Sequence, residues 1–347
     1  MYREWRKKVW EYIYINGGEI ANLYDPKLGH IGNKIFKDLR PNEDRIYSID
    51  DLDPNEILNR VLHRYLAIEG DFTPYPINGI YDVALYLHLI KSRGHTYYTL
   101  PWYNELNYLY ETLLRPIFKI PIDEEYYPSI DKLELNYEYD GIYHIIIPDK
   151  YTGISYIELL KKYSEFILEF GGEIFIDLTY GYLLRDEMLN NLTKVIEPVI
   201  DHTLIYIDLS ISILDPANPS AILYIPENSQ LDTYYLKRIY NVVGFRQILK
   251  DLLHIDISWN IFREEVLKEL DRRKKILYEK LGRIDLESPY TASIKYNDSD
   301  EYAEKLLYSY GILVEPINTP VNGITINLYT ECNGLEDILD KMAKEYE

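Results

Sequence analysis

The chain reads as an α/β protein with a mainly parallel sheet covered by helices on both faces, followed by a smaller α+β lobe. Three observations predict this. Short β-branched and aromatic runs, His144–Pro148, Glu173–Ile176 and Leu204–Ile207, alternate with helical periods in the manner of βαβ units. The joints between them are short, so the crossovers should be right-handed and the strands parallel. After about residue 240 the alternation gives way to one long charged helix, then a strand, a helix, two strands and a helix. That divides the chain into an arm over residues 1–45, a large domain over 46–240 and a small domain over 241–347.

Taken in order, the arm opens with a short helix and continues in a Gly/Asn/Pro-rich segment, NGGEIANLYDPKLGHIGN. A helix follows near Pro54–Ile68. Asn78-Gly79 opens another, with Val83, Leu85, Leu87 and Ile90 as its apolar residues. Within Ile154–Phe170 the residues Ile157, Leu160, Tyr163, Ile167 and Phe170 recur every three or four positions, the mark of one buried helix face. Gly171-Gly172 stops that helix. EIFIDL then reads as a buried strand, and a helix near Glu187–Ile200 leads to LIYIDLS. The charged helix near Ile261–Leu281 forms a spine. TASIKY, SDEYAEKLLYSYG, ILVEPI, GITINLY and GLEDILDKMAKEY complete the small domain.

Composition narrows the function. A chain of 347 residues with 47% apolar content folds as a globule with a large core. Its 37 basic and 57 acidic residues leave a net charge of −20, which repels polyphosphates and anionic lipid and excludes broad nucleic-acid or membrane binding. Cys332 is the only cysteine, so an internal disulfide and a multi-cysteine zinc site are ruled out. No signal-peptide pattern and no apolar run of membrane-spanning length occurs, and a cytoplasmic location is expected. Thirty-seven tyrosines and only two glutamines suit a thermophilic source.

Ligands of an open parallel sheet bind beyond the carboxyl ends of its strands. Three loops should converge there: Asp149–Gly153, Asp177–Tyr180 and Asp208–Ile213. A carboxylate at Asp177 could bind a protonated ring nitrogen or a metal; strand logic alone equally allows a helix cap or a solvent-facing group. The phrase recurs as IFIDLT, IYIDLS and, around Asp256, LHIDIS. Asp177 and Asp208 on neighbouring strands could hold Mg²⁺ for hydrolysis, although the histidines show no metal-binding spacing.

From about residue 20 to the end, the order of segments resembles a class I/II aminotransferase of fold type I, in feel the histidinol-phosphate aminotransferase branch. NLYDP (22–26) resembles the segment that crosses to the partner subunit. INGIYDVALYL (77–87) resembles the helix start whose backbone amides receive the cofactor phosphate, which places Gly79 and Ile80 there. LPWYNELNYLY (100–110) resembles the motif that stacks an aromatic ring, here Tyr103, on the pyridine. IPDKYTG (147–153) is similar to a worn Asn-Pro-Thr-Gly turn, and IDLTYGYL (176–183) to the Asp-Glu-Ala-Tyr segment. The resemblance implies that Asp177 would protonate the pyridine nitrogen, that Tyr180 would bond the ring's phenolic oxygen and that Ser210 would contact the cofactor. GILVEPINTPVNGITINLYTE resembles the family's last strands. It further implies a homodimer, with Trp5, Trp10 and Tyr24 suited to the contact surface.

The departures fall on the chemistry. The family's Ser-x-Ser-Lys motif aligns with Ser210-Ile211-Ser212-Ile213, which puts Ile213 at the Schiff-base lysine. Ala221 stands at the arginine that grips the phosphate, Lys150 at the asparagine, and Thr325 at the arginine that forks the substrate carboxylate. Neither lysine nor arginine occurs in 195–236. The expectation is a protein silent as a transaminase that serves as a binding, regulatory or partner subunit. It would carry no covalent cofactor and hold pyridoxal phosphate, if at all, non-covalently. Two alternatives stay open: a working pyridoxal-phosphate aminotransferase or lyase with Lys150 as imine donor, and the metal hydrolase.

Overall fold

A computed structural model describes residues 2–16, 20–39, 53–65, 71–90, 95–113, 116–134, 141–239 and 242–346. The arm carries α1 (Tyr2–Asn16), β1 (Ala21–Asn22) and α2 (Ile31–Leu39). Then come α3 (Pro54–Tyr65), β2 (Phe72–Ile77), α4 (Ile80–Ile90), β3 (Tyr97–Thr99), α5 (Asn104–Thr112), β4 (Ile117–Lys119) and α6 (Ile130–Glu134). The predicted βαβ run is β5 (Ile142–Ile146), α7 (Ile157–Phe170), β6 (Glu173–Asp177), α8 (Asp186–Ile196) and β7 (Thr203–Asp208), with β8 (Ala221–Pro226) after it. The chain closes through α9 (Tyr234–Ile239), α10 (Val242–Leu281), β9 (Leu286–Glu287), β10 (Thr291–Lys295), α11 (Ser299–Tyr310), β11 (Ile312–Leu313), β12 (Glu315–Ile317), β13 (Gly323–Asn327) and α12 (Leu335–Tyr346).

The main sheet has the order β2-β8-β7-β6-β5-β3-β4. From β7 to β4 every pairing is parallel; β8 runs antiparallel to both β7 and β2. Side chains alternate across it. Ile174 and Ile176 join one core with Leu160 of α7, Leu192 of α8 and Phe262 of α10. Phe175 joins the other with Val83 and Leu87 of α4 and Leu106 of α5. Burial on both faces explains why these strands are continuous apolar runs, each fully buried large side chain contributing roughly 1.5–3 kcal/mol. A second, antiparallel sheet has the order β12-β13-β10-β9. The arm is stitched to this part of the chain by the parallel pairing of β1 with β11.

Several expectations shift. Helix α7 starts at Ile157, because Tyr156 just before it sits in the left-handed region (φ 46°). On α4, Val83 and Leu87 are buried, but Leu85 faces solvent; the Ile90 side chain lies outside the described residues. α8 gives way at Glu197 to a tight 3₁₀ turn where Pro198 lacks the donor an α-helix needs. The spine is twice the predicted length: α10 spans 40 residues. Among its described side chains, the buried Leu249, Leu252, Trp259, Phe262, Val266, Leu270 and Leu277 lie on one helical face. The LHIDIS phrase around Asp256 is therefore helix, unlike IFIDLT and IYIDLS. Residues 66–68 of the expected helix near Pro54 lie outside the described residues. Trp5 and Tyr24 pack in the core, leaving only Trp10 of the expected contact aromatics exposed.

Candidate functional site

The carboxyl ends of the parallel strands stand side by side. Ile146 pairs with Asp177 and Asp177 with Tyr206, so the loops after β5, β6 and β7 leave the sheet together. A cavity of about 200 Å³ opens there. Ile146, Lys150 and Tyr151 border it from β5 and its loop, Asp177, Thr179 and Tyr180 from β6, and Tyr206, Asp208 and Ile211 from β7. Ile80 enters from α4, Trp102 and Tyr103 from the approach to α5, and Tyr290, Glu315 and Asn327 from the C-terminal strands. The arm adds Arg6, Tyr24, Asp25 and Lys27.

Each inner side chain is fixed by a specific partner. The Ile146 N–H donates to the Tyr103 hydroxyl (3.1 Å), whose ring meets His144 edge-on at 5.3 Å. Asp177 accepts the Thr179 N–H through Oδ1 (2.8 Å). Tyr180 stacks on Tyr290 with centroids 4.0 Å apart and donates to the Ile211 carbonyl (3.0 Å). Burial pushes the Tyr103 and Tyr180 phenols well above their ordinary range, so both stay neutral. Trp102 donates from Nε1 to Asp149 (2.9 Å), a buried carboxylate that also accepts the Tyr151 and Thr152 N–H groups.

Asp208 is held by three donors. Its Oδ1 accepts the Ser210 hydroxyl (2.6 Å) and N–H (3.1 Å), and its Oδ2 accepts the Tyr206 hydroxyl (2.9 Å). Burial pushes this carboxyl up, against the pull of the Ser210 and Tyr206 donors and the charge of Lys27. It lies beside the start of α4: a Cβ placed on Gly79 would stand 3.8 Å from Asp208 Oδ2. Gly79 has φ +146°, a conformation side chains rarely adopt, which suits a residue opening a helix from a tight turn. Asp82 of the first turn accepts from the Asn78 N–H (2.9 Å) and side-chain amide (3.0 Å).

Of the residues expected to form the site, Ile80, Tyr103, Lys150, Asp177, Tyr180 and Asp208 meet in the cavity, with Gly79 next to them. Ser210 is turned to Asp208 and does not border it. Ile213 is fully buried in the core; the residue of that loop that faces the cavity is Ile211. Ala221 is buried inside β8, and Thr325 exchanges a hydrogen bond with Ser293 (2.8 Å) inside the small sheet, where Asn327 rather than Thr325 reaches the cavity. Lys150 Nζ is 2.5 Å from Glu315 Oε2. Tyr206 was open to sequence reasoning, since it alternates with Asp208 on one strand face. Glu315, Tyr290, Arg6 and Lys27 carried no local signal, because only the tertiary fold brings them here, whereas Tyr24 and Asp25 lay in the NLYDP segment read as a contact to a partner subunit.

No family model matches the sequence, and no curated protein does. Solved structures match along nearly the whole chain. An aspartate aminotransferase double mutant from Thermus thermophilus has a TM-score of 0.73 at 15% identity, covering 99% of this chain and 94% of its own. An aspartate aminotransferase from Thermotoga maritima gives 0.72 at 16%, covering 99% and 96%. A PLP-bound protein from Clostridium difficile gives 0.71 at 13%, covering 96% and 93%. The chain thus has the type I fold of the pyridoxal-phosphate-dependent aminotransferases.

The residues present do not fit that cofactor throughout. Asp177 and the tyrosine walls suit a protonated pyridine ring. The phosphate end does not fit: a carboxylate already lies beside the start of α4, and Ala221 offers no cation. The imine end does not fit either, since Ile211 and Ile213 carry no amine.

Proposed function

We propose that this protein keeps the aminotransferase scaffold without the transaminase step and acts as a binding, regulatory or partner subunit. The observation that carries this is Ile211 facing the cavity from the loop after β7, with Ile213 buried behind it. An aliphatic side chain can neither form an imine nor move an α-proton, the two tasks of the family's lysine. The test is incubation with pyridoxal phosphate, borohydride reduction and intact-mass analysis. No added mass is expected; a reduced adduct on any lysine overturns the reading.

One observation favours a second reading. Lys150 and Lys27 border the same cavity as Asp177, so an imine from a new direction would give a working aminotransferase or lyase. Against it, the Lys150 ammonium is engaged by buried Glu315. Peptide mapping of the reduced protein separates the two readings. The metal hydrolase is not carried forward: among the described residues no group of three or more His, Cys, Asp or Glu could hold a metal ion.

A homodimer is part of the proposal. Tyr81, Leu85 and Leu89 form an exposed apolar stripe along α4, a surface that a second copy could cover. Light scattering should give twice the 41.3 kDa chain mass. Segment order supports a place beside the histidinol-phosphate aminotransferase branch, and composition supports a thermophilic source. No helix among the described residues is long and apolar enough to cross a membrane.

A further inference from the structure

The mismatch at the phosphate end carries a conclusion about what the cavity takes. Helix N-termini attract anions because their first N–H groups are unpaired and the dipole is positive there. At the start of α4 two carboxylates of the chain already stand close by. Asp82 receives the Asn78 N–H, and Asp208 sits beside Gly79 with its carboxylate only 6% exposed. A phosphate brought to the same place would meet a buried carboxylate, and Ala221 in β8 offers no cation to offset the repulsion.

The remaining walls point to the opposite charge. Four carboxylates border the cavity, Asp25, Asp177, Asp208 and Glu315, against three cationic side chains, Arg6, Lys27 and Lys150. Lys150 is held by Glu315. Because Asp177 pairs with Tyr206, the side chains of Asp177, Tyr206 and Asp208 share one sheet face. The two aspartate Cα atoms are then roughly 8 Å apart, two residues along and one strand across. The rings of Tyr103, Tyr180, Tyr206 and Tyr290 border the same cavity. Tyrosine faces attract cations, and more strongly where water is excluded.

We infer that this cavity binds a small, phosphate-free ligand bearing a protonated amine, with the Asp208 carboxylate standing where a phosphate would otherwise dock. The inference rests on the reading that no imine forms, and it concerns charge selection at the other end of the site. Asp208 Oδ2 accepts the Tyr206 hydroxyl, and a carboxylate oxygen can accept a second donor. The charge of Lys27 also acts on Asp208.

The test compares two probes that differ only in the phosphate, pyridoxamine and pyridoxamine 5′-phosphate, by isothermal titration calorimetry on the full chain. Wild-type protein should bind pyridoxamine at least tenfold more tightly than its phosphate ester. Asp208→Asn, which keeps the shape and removes the charge, should shrink or reverse that ratio by tenfold or more. Asp177→Asn should weaken both probes and leave their ratio unchanged. The inference is overturned if the phosphate ester binds wild type equally or more tightly, if Asp208→Asn leaves the ratio alone, or if neither probe binds at millimolar concentration. Should Asp208→Asn fail to fold, the wild-type ratio decides. A borohydride-stable adduct with pyridoxal phosphate would sink the non-catalytic reading while leaving the ratio measurable.

Discussion

Lys150 reaches Glu315 across the cavity mouth, its Nζ 2.5 Å from Oε2, and so joins the loop after β5 to β12 of the small sheet. The same carboxylate accepts the Tyr151 hydroxyl through Oε1 (3.0 Å), and Thr291 of β10 donates to the Lys150 carbonyl. Glu315 is 5% exposed in its side chain and Lys150 28%, so the pair is shielded on one side only. Its role is a clamp between the two sheets, which removes Lys150 from the pool of free amines.

Removing the acid should therefore cost more than a surface ion pair would. Glu315→Ala leaves an ammonium and a phenol without their acceptor, and about 2–3 kcal/mol of stability should be lost after allowance for the partial exposure of Lys150. Urea unfolding checks this. A loss under about 0.5 kcal/mol would place the pair with ordinary surface bridges and sink the clamp.

Restoring the lysine distinguishes the two isoleucines. Ile211→Lys places an amine in the cavity, where solvent and carboxylates are at hand, and the variant should fold and form a borohydride-trappable imine with unphosphorylated pyridoxal. Ile213→Lys buries an amine in a fully apolar position and should lose several kcal/mol, roughly 3–5, with no adduct. Mass spectrometry after reduction, paired with thermal melts, reads both. The opposite pattern would mean that Ile213 is the side chain turned to the ligand.

Arg273 shows how α10 holds the far wall. It is 5% exposed, donates to the Leu328 and Thr330 carbonyls (3.1 and 2.6 Å) and pairs with Glu269 (2.8 Å). Those carbonyls follow directly on β13, whose Asn327 borders the cavity. Arg273→Met keeps the bulk but strips both carbonyls of their donor. It should cost about 2–4 kcal/mol and loosen ligand binding as well. Chemical denaturation and calorimetry on one preparation would check the two effects; an unchanged melt would show that water replaces the guanidinium.

How much of this could be read in the sequence depended on the range of the forces involved. The βαβ core was legible because doubly buried strands must be apolar runs and buried helix faces must repeat every three or four residues. Asp177, Tyr180, Asp208 and Lys150 were legible because strand ends gather at one edge of a parallel sheet. The facing residue of the β7 loop was not: a tight turn decides whether Ile211 or Ile213 points inward, and no local period encodes it. The first half of α10 was missed for another reason. Leu249, Leu252 and Trp259 continue its apolar face, but the sequence signals the helix only through the charged run that begins near Ile261. Glu315 and Asn327 depended on strands some 140 residues beyond the β6 loop and gave no local sign of their role.

His144 makes the last prediction, and it concerns acid. Its ring lies in β5, stacked on Phe175 at 4.9 Å, fully buried, and neither nitrogen has a hydrogen-bond partner. Burial alone depresses its pKa to about 3 from an ordinary 6.5. His30, also buried, is depressed to about 4, although its Nε2 is held by the Ser210 and Leu214 carbonyls. Between those folded values and 6.5 the unfolded chain carries the extra protons. Stability is therefore complete above about pH 6.5 and drains as pH falls, at up to ~1.4 kcal/mol per pH unit for each histidine. His144→Phe removes one of the two protons and both unpaired nitrogens. Between pH 6 and 4.5 its unfolding free energy should fall less steeply than that of wild type. Equal slopes would show that His144 is protonated in the folded protein, and a water or a shifted strand would have to reach a ring now sealed between Tyr103 and Phe175.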